Sequence, residues 1–393
     1  MATRTVTSRI DDYFLLDELL SEDERLIRDT VRRFVDREVL PHIGGWWLRG
    51  EFPTHLVPQL AGLGLLGANL PAEYGAAGVS NVAYGLILQE LERGDSGLRS
   101  FASVQGSLVM YPIYAFGSEE QRRRWLPALA RGEVIGCFGL TESTAGSDPA
   151  AMQTRARRVP GGWELQGTKM WITNGSLAHV AIIWAKDEEG VVRGFIVETD
   201  RPGFSAQEIT TKASMRASDT AELVLQGVRL PDEAALPEAV GLRAALKCLT
   251  QARYGIAWGA VGAATACLEE ALTYARARIA FGRPIAQTQI IQERLVDMLQ
   301  EVVKAQLLAY RLGQLKDAGK ASYVHVSLAK RNNVRAALRV AREARSILGA
   351  YGITLDYHAM RHASNLESVD TYEGTYDIHT LIVGRDITGL DAF

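Results

Sequence analysis

The chain is poor in several features that would narrow its class at once. It has three cysteines in 393 residues, Cys137, Cys248 and Cys267. They are too few and too scattered for a disulfide framework or a cysteine-based zinc site. They fit a reducing compartment, with thiols packed as small hydrophobes. Positive charge is not in excess: 43 Lys and Arg stand against 46 Asp and Glu, a net charge of −3. That gives no electrostatic footprint for nucleic acid. No apolar run is long enough to span a bilayer. Arg4 and Arg9 near the N-terminus are soon followed by Asp11 and Asp12, which argues against a secretory signal or a transit peptide. The expected location is a bacterial cytoplasm or, for a mature chain, the mitochondrial matrix. Internal repeats, low-complexity tracts and charged tails are also missing. What is present is ordinary: 47% hydrophobic and 23% charged residues, enough chain for two or three domains.

Hydrophobic periodicity changes twice along the sequence. Residues 1–133 read as helical. Ser21-Glu22-Asp23-Glu24 and Ser118-Glu119-Glu120-Gln121 have the form of capping boxes, and Leu26, Ile27, Val31, Phe34 and Val35 follow the first on one face. Residues 134–240 read as short strands: Val134–Leu140, Trp163–Thr173, Val180–Lys186, Gly194–Thr199 and Glu222–Leu230. Pro160-Gly161-Gly162, Asp187 to Gly190 and Arg201-Pro202-Gly203 separate them as turns. From 241 to 393 the helical period returns in long runs, broken near Asp317–Lys320 and Gly349–Gly352. The expectation is a mainly α protein with a central β domain.

Two motifs attract attention and are better read otherwise. Gly62-Leu63-Gly64-Leu65-Leu66-Gly67 matches the dinucleotide fingerprint, but residues 56–61 before it look helical, where the fingerprint needs a strand. The glycines read as a helix-to-loop exit. His358 and His362 have the spacing of two zinc ligands on a helix, but no general-base Glu lies between them and no third ligand suggests itself, so no metal is expected.

The segment Thr371-Tyr372-Glu373-Gly374-Thr375-Tyr376-Asp377-Ile378-His379 places a carboxylate between an aromatic residue and a glycine. Alone, a glutamate in a turn is usually solvated. Three other segments change that reading: Cys137-Phe138-Gly139-Leu140-Thr141-Glu142 with Gly146-Ser147-Asp148, then Trp171-Ile172-Thr173-Asn174, then Arg278 to Pro284 with Gln289. A flavin needs flat apolar cover and hydrogen-bonding groups along its pyrimidine edge, and its pyrophosphate needs positive charge. Phe138, Leu140 and Thr141 suit the edge, Trp171 and Thr173 the ring, and Arg278 the pyrophosphate. Core packing for the aromatics and a solvated helix face for Arg278 are the plain alternatives.

In order and spacing, these four segments resemble the acyl-CoA dehydrogenase family over essentially the whole chain. The resemblance implies an N-terminal helical domain (1–133), a middle β-barrel-like domain (134–240) and a C-terminal four-helix bundle (241–393). It implies FAD as cofactor and Glu373 as the base that removes a proton alpha to a thioester carbonyl while hydride leaves the beta carbon. It implies FAD contacts from Phe138, Leu140, Thr141, Ser147, Trp171, Thr173, Thr375 and Asp377. Further FAD contacts come from Arg278, Phe281 and Gln289, reaching the cofactor of a neighbouring subunit, and from Gly349, in a segment that looks like the family's adenine-side loop. A dimer at least, and usually a tetramer, follows. Arg253 and Ser147 resemble substrate contacts. Electron-transfer flavoprotein is the implied acceptor.

Residues 90–105, with Glu92, Arg99 and Ser103, resemble the glutaryl-CoA dehydrogenase branch, in which an arginine and a serine receive the far carboxylate of the substrate. A plain fatty-acyl pocket has no use for a buried arginine, whereas a guanidinium fork suits a carboxylate. Arg99 pairing with Glu92 or Asp95 is the structural alternative. Glu92 and Tyr372 resemble the type that decarboxylates its product to crotonyl-CoA. Leu98 and Tyr376 depart from the branch, which often has Tyr and His there. Open alternatives are a dehydrogenase of another carboxylated or short-chain acyl-CoA, a non-decarboxylating glutaryl-CoA dehydrogenase, an oxidase that reduces oxygen directly, and a non-catalytic DNA-binding or scaffold member of the fold.

Overall fold

In this computed structural model the described residues are 9–392. Seven helices come first: α1 Glu22–Phe34, α2 Ile43–Arg49, α3 Val57–Gly62, α4 Asn81–Gly94, α5 Ser96–Ser103, α6 Tyr111–Phe116 and α7 Glu119–Ala130. Eight strands follow: β1 Gly136–Gly139, β2 Arg155–Val159, β3 Gly162–Thr173, β4 Val180–Lys186, β5 Val192–Glu198, β6 Phe204–Glu208, β7 Thr220–Pro231 and β8 Ala235–Val240. Then come α8 Leu242–Ala277, the short strands β9 Ile279–Ala280 and β10 Arg283–Pro284, and helices α9 Gln289–Asp317, α10 Tyr323–Ile347, α11 Ala359–Thr371 and α12 Tyr376–Thr388. The helix–strand–helix order expected from periodicity is the order found.

The chain forms two compact units. One comprises residues 1–44, 81–96 and 256–370; the other comprises 45–80, 97–255 and 371–393.

The first unit is helical. Ser21 caps α1 by accepting from the Glu24 N–H, and Glu24 returns a bond to the Ser21 N–H, so the expected capping box is present. Close helix approach depends on glycines. A Cβ at Gly85 of α4 would lie 2.3 Å from Trp258 of α8, and one at Gly262 of α8 would lie 1.9 Å from the Gln89 carbonyl oxygen. Buried charges are paired: Glu90 with Arg32 and Arg93, and Asp95 with Arg361 and Asn365. The β9–β10 hairpin turns on Phe281 (φ 52°) and Gly282 (φ 76°), both left-handed as a tight primed turn requires. Sequence periodicity had joined this stretch to the helices around it.

The second unit holds an eight-stranded sheet in the order β6-β7-β3-β2-β4-β5-β8, with β1 pairing β4 in parallel. Between β1, β3, β4, β5 and β7 lies a core of Cys137, Trp163, Leu165, Ile183, Phe195, Val197, Leu223 and Leu225. Strands β2, β6 and β8 were not anticipated. Two of them lie at the sheet ends, β6 is mostly exposed and β8 carries Pro237, so neither shows a buried-strand pattern. In α3 the chain exits through Leu63 and a left-handed Gly64, so the fingerprint-like glycines follow a helix, as expected.

Candidate functional site

The site residues that contact one another lie in the second unit. Six non-glycine residues among those described have positive φ, and four belong to the segments singled out above: Trp171 (64°), Asn174 (64°), Phe281 (52°) and Glu373 (53°). Left-handed backbone is uncommon for bulky side chains and collects at functional sites, where the surroundings hold it in place. Sequence alone gave no warning of it.

Glu373 sits in the short connection between α11 and α12. The buried Arg253 of α8 donates from Nε to the Glu373 carbonyl oxygen at 2.6 Å. Burial pulls the Arg253 pKa down, and the negative charge of Glu373 opposes the fall. Gly374 continues the turn at φ 96°; a Cβ there would meet His379 Nε2 at 3.0 Å and Arg253 Nη2 at 3.2 Å. The glycine therefore spares Arg253 and His379 rather than the carboxylate itself. Thr375 caps α12 by accepting from the Ile378 N–H at 3.2 Å, and Asp377 is exposed in the first turn. The connection is thus fixed at its carbonyl, by its glycine and by its cap.

Arg99 is fully buried in α5. Its guanidinium donates to the Tyr372 hydroxyl and lies 5.6 Å from that ring's centroid. One turn further, the buried Ser103 Oγ has no hydrogen-bond partner among the described residues. Immediately after it, residues 104–110 widen into a π-helical turn, a feature frequent at functional sites. Asp95, weighed above as a structural partner of Arg99, accepts from Arg361 and from Asn365.

The second cluster lies where β1 ends. Phe138 and Leu140 are buried and Thr141 is half-buried. The Met170 N–H donates to Thr141 O at 2.9 Å, and Lys169 Nζ donates to Leu140 O at 3.1 Å. The β3–β7 register slips between Lys169 and Ile172, and in that bulge Trp171 turns outward, 59% exposed. Thr173 is half-buried, and Asn174 donates to Gly136 O at 3.3 Å. An exposed indole in a held, left-handed bulge beside a strand end fits a planar heterocycle.

Ser147 is exposed, and the neighbouring Asp148 caps the turn 149–151. Glu92 belongs to the first unit, buried on α4, where it accepts from Ser96 Oγ at 2.9 Å. Arg278, Phe281, Gln289 and Gly349 are exposed in the first unit, Phe281 completely. His358 and His362 lie against the Arg361 guanidinium, and Glu270 accepts from the His358 N–H at 2.8 Å. Among the described residues no helix is long and apolar enough to cross a membrane.

These features define a flavin-dependent acyl-CoA oxidoreductase. The chain belongs to the acyl-CoA dehydrogenase family, matching its N-terminal domain at residues 21–133, its middle domain at 137–228 and its C-terminal domain at 239–388. It is therefore an enzyme, and its cofactor is FAD. It is similar to a glutaryl-CoA dehydrogenase structure from Mycobacterium smegmatis at 57% identity and a TM-score of 0.96, covering 98% of this chain and 99% of that one. A second M. smegmatis glutaryl-CoA dehydrogenase, in complex with FADH2, is 53% identical with a TM-score of 0.97, covering 98% and 100%. The human mitochondrial short-chain specific acyl-CoA dehydrogenase is 35% identical over 369 residues, 93% of this chain and 90% of its own.

Proposed function

We propose that this acyl-CoA dehydrogenase oxidises glutaryl-CoA and decarboxylates the product to crotonyl-CoA. The observation that carries the reading is the burial of Arg99 against Tyr372, the residue preceding Glu373. It puts a guanidinium in the same local structure as the proposed base. Similarity to two enzymes named glutaryl-CoA dehydrogenase supports it.

In this reading Glu373 takes the α-proton of the thioester, and Arg253 keeps its backbone in the conformation that presents the carboxylate. Arg99, with the Ser103 hydroxyl, receives the far carboxylate, a fork-to-carboxylate match that desolvation strengthens. Tyr372 orients Arg99, and Glu92 and Ser147 add polar substrate contacts. FAD supplies the acceptor for the hydride leaving the beta carbon. Phe138, Leu140, Thr141, Ser147, Trp171, Thr173, Thr375 and Asp377 hold it within one chain. The exposed Arg278, Phe281 and Gln289 reach the cofactor of a second copy, with Gly349 on the adenine side, so the protein is a homo-oligomer, a tetramer in the simplest arrangement. Loss of the far carboxylate as CO2 leaves a dienolate, and the protonated Glu373 returns its proton at the γ carbon to give crotonyl-CoA. Electron-transfer flavoprotein reoxidises the enzyme.

The test is anaerobic mixing with a panel of acyl-CoAs while flavin absorbance is followed, with products identified by mass. Fast bleaching by glutaryl-CoA with release of crotonyl-CoA is expected. Glutaconyl-CoA as the end product would remove the decarboxylation; fast bleaching only by unsubstituted acyl-CoAs would remove the substrate assignment.

A further inference from the structure

Lys169 and Glu142 form an ion pair that the chemistry above does not use. Both are buried, Lys169 completely, and their charged atoms are 2.9 Å apart. Glu142 is saturated with donors: Oε1 takes Thr154 Oγ1 at 2.6 Å and Thr154 N–H at 3.0 Å, and Oε2 takes Gln153 N–H at 2.6 Å. Burial works against the Glu142 charge, yet Lys169, Thr154 and Gln153 hold its pKa down at about 2. Burial lowers the Lys169 ammonium to about 8, with Glu142 opposing, so the pair is ionised at neutral pH.

Stability alone gives no reason to bury such a pair, because two apolar side chains of similar volume usually serve as well or better. Its geometry gives another. The ammonium donates both to Glu142 and, at 3.1 Å, to Leu140 O. The next residue, Met170, donates its N–H to Thr141 O, and the one after that is the left-handed Trp171. Three successive residues of one loop are thereby tied to the two residues that lead into the bulge. The Lys169 stem passes close over Gly139, where a Cβ would sit 3.1 Å from Lys169 Cγ, so the absence of a side chain at 139 leaves room for this route.

We propose that Lys169, paired with Glu142, is a positioning residue for FAD: it sets the spacing between the Leu140–Thr141 edge and the outward face of Trp171. The proposal rests on the reading that those residues line the flavin. Without the pair, the left-handed bulge keeps the Met170–Thr141 bond but loses the Lys169 tie to Leu140, and the indole shifts relative to the loop edge.

The experiment is FAD titration of apoprotein, read by flavin fluorescence quenching and by the fine structure of the visible flavin band. The principal variant is the double Glu142→Gln/Lys169→Met, which leaves no unpaired charge. Lys169→Arg keeps the charge but cannot repeat the two ammonium distances along the same route. Val197→Ala, a buried change in the same sheet core, is the control for general destabilisation. Dissociation constants raised about tenfold or more in the double variant, and less in Lys169→Arg, with blurred band structure, are expected. Both effects must exceed those of Val197→Ala compared at equal loss of apoprotein melting temperature. Wild-type affinity and band shape in the double variant overturn the proposal; if it does not fold, the same result in Lys169→Arg does so. Trp171→Ala checks the underlying reading separately. Unchanged FAD affinity there means the flavin lies elsewhere, whereas loss there with none in the pair variants overturns the positioning role alone.

Discussion

Glu373 is a side chain whose meaning changes with its backbone. As a residue type it is a common surface carboxylate; at φ 53°, with its carbonyl fixed by Arg253 and a cap beginning two residues later, it is a held group. Left-handed backbone at a bulky residue costs on the order of 1–3 kcal/mol. Replacing Glu373 with Gln keeps shape and hydrogen bonding while removing basicity. FAD content is expected to persist, while the rate of flavin bleaching by substrate falls at least about a thousandfold, as for loss of an essential proton-transfer group. Stopped-flow absorbance at saturating substrate checks it, and near-normal bleaching would place the base elsewhere. As a candidate, this carboxylate was legible in the sequence only together with the three companion segments and the family they resemble, not from its neighbours alone. The strain was not legible, because φ at a non-glycine residue is imposed by tertiary contacts such as the one from Arg253. The same holds for Lys169, which reads in sequence as a polar residue of a strand and is in fact fully buried.

At the scale of elements, capped helices and buried strands announced themselves. Ser21 and Ser118 cap where their spacing predicts, and Val180–Lys186 is a strand at its expected bounds because its interior is apolar throughout. Strands β2 and β6 were hidden, since arginine-rich or exposed edge strands lack that pattern. The β9–β10 hairpin was hidden by the helical composition on both sides. Helix spacing in the first unit depends on glycines that periodicity does not single out. Gly262→Ala puts a methyl 1.9 Å from a backbone oxygen of α4, which a side-chain rotation cannot relieve. A loss of about 3 kcal/mol or more is expected, measured by denaturant unfolding of the holoprotein. A change within about 0.5 kcal/mol, the range of an ordinary surface substitution, would show that α4 and α8 are not spaced by this contact.

For the molecule as a whole, buried histidines contribute to the loss of stability in acid. Burial and then Arg361 depress His358 to about 4, and His362, fully buried, lies well below its ordinary 6.5. The Arg93 charge also lowers both, although for His362 a hydrogen bond with the Arg93 backbone opposes the fall; the Glu270 carboxylate and the Asp95–Arg361 pair are held nearby. A depressed folded pKa means the unfolded chain binds the proton first. Stability from these groups is therefore complete above about pH 6.5 and falls as pH drops toward 4. At pH 5.5, one pH unit below the unfolded value, His362 alone costs at most about 1.4 kcal/mol. Urea unfolding at pH 7.5 and 5.5 should show this loss, reduced in His362→Gln; equal stability at the two pH values would contradict it.

The most direct test of the account is the ratio of kcat/KM for glutaryl-CoA over butyryl-CoA, in wild type and in Arg99→Met. Removing one partner of a buried charge pair costs on the order of 3–5 kcal/mol, or roughly a hundredfold to several-thousandfold. The account predicts a wild-type ratio well above one that falls by that factor in Arg99→Met, with butyryl-CoA turnover kept or improved because the pocket has become apolar. An unchanged ratio would make Arg99 a structural partner of Tyr372 and contradict the assignment of glutaryl-CoA.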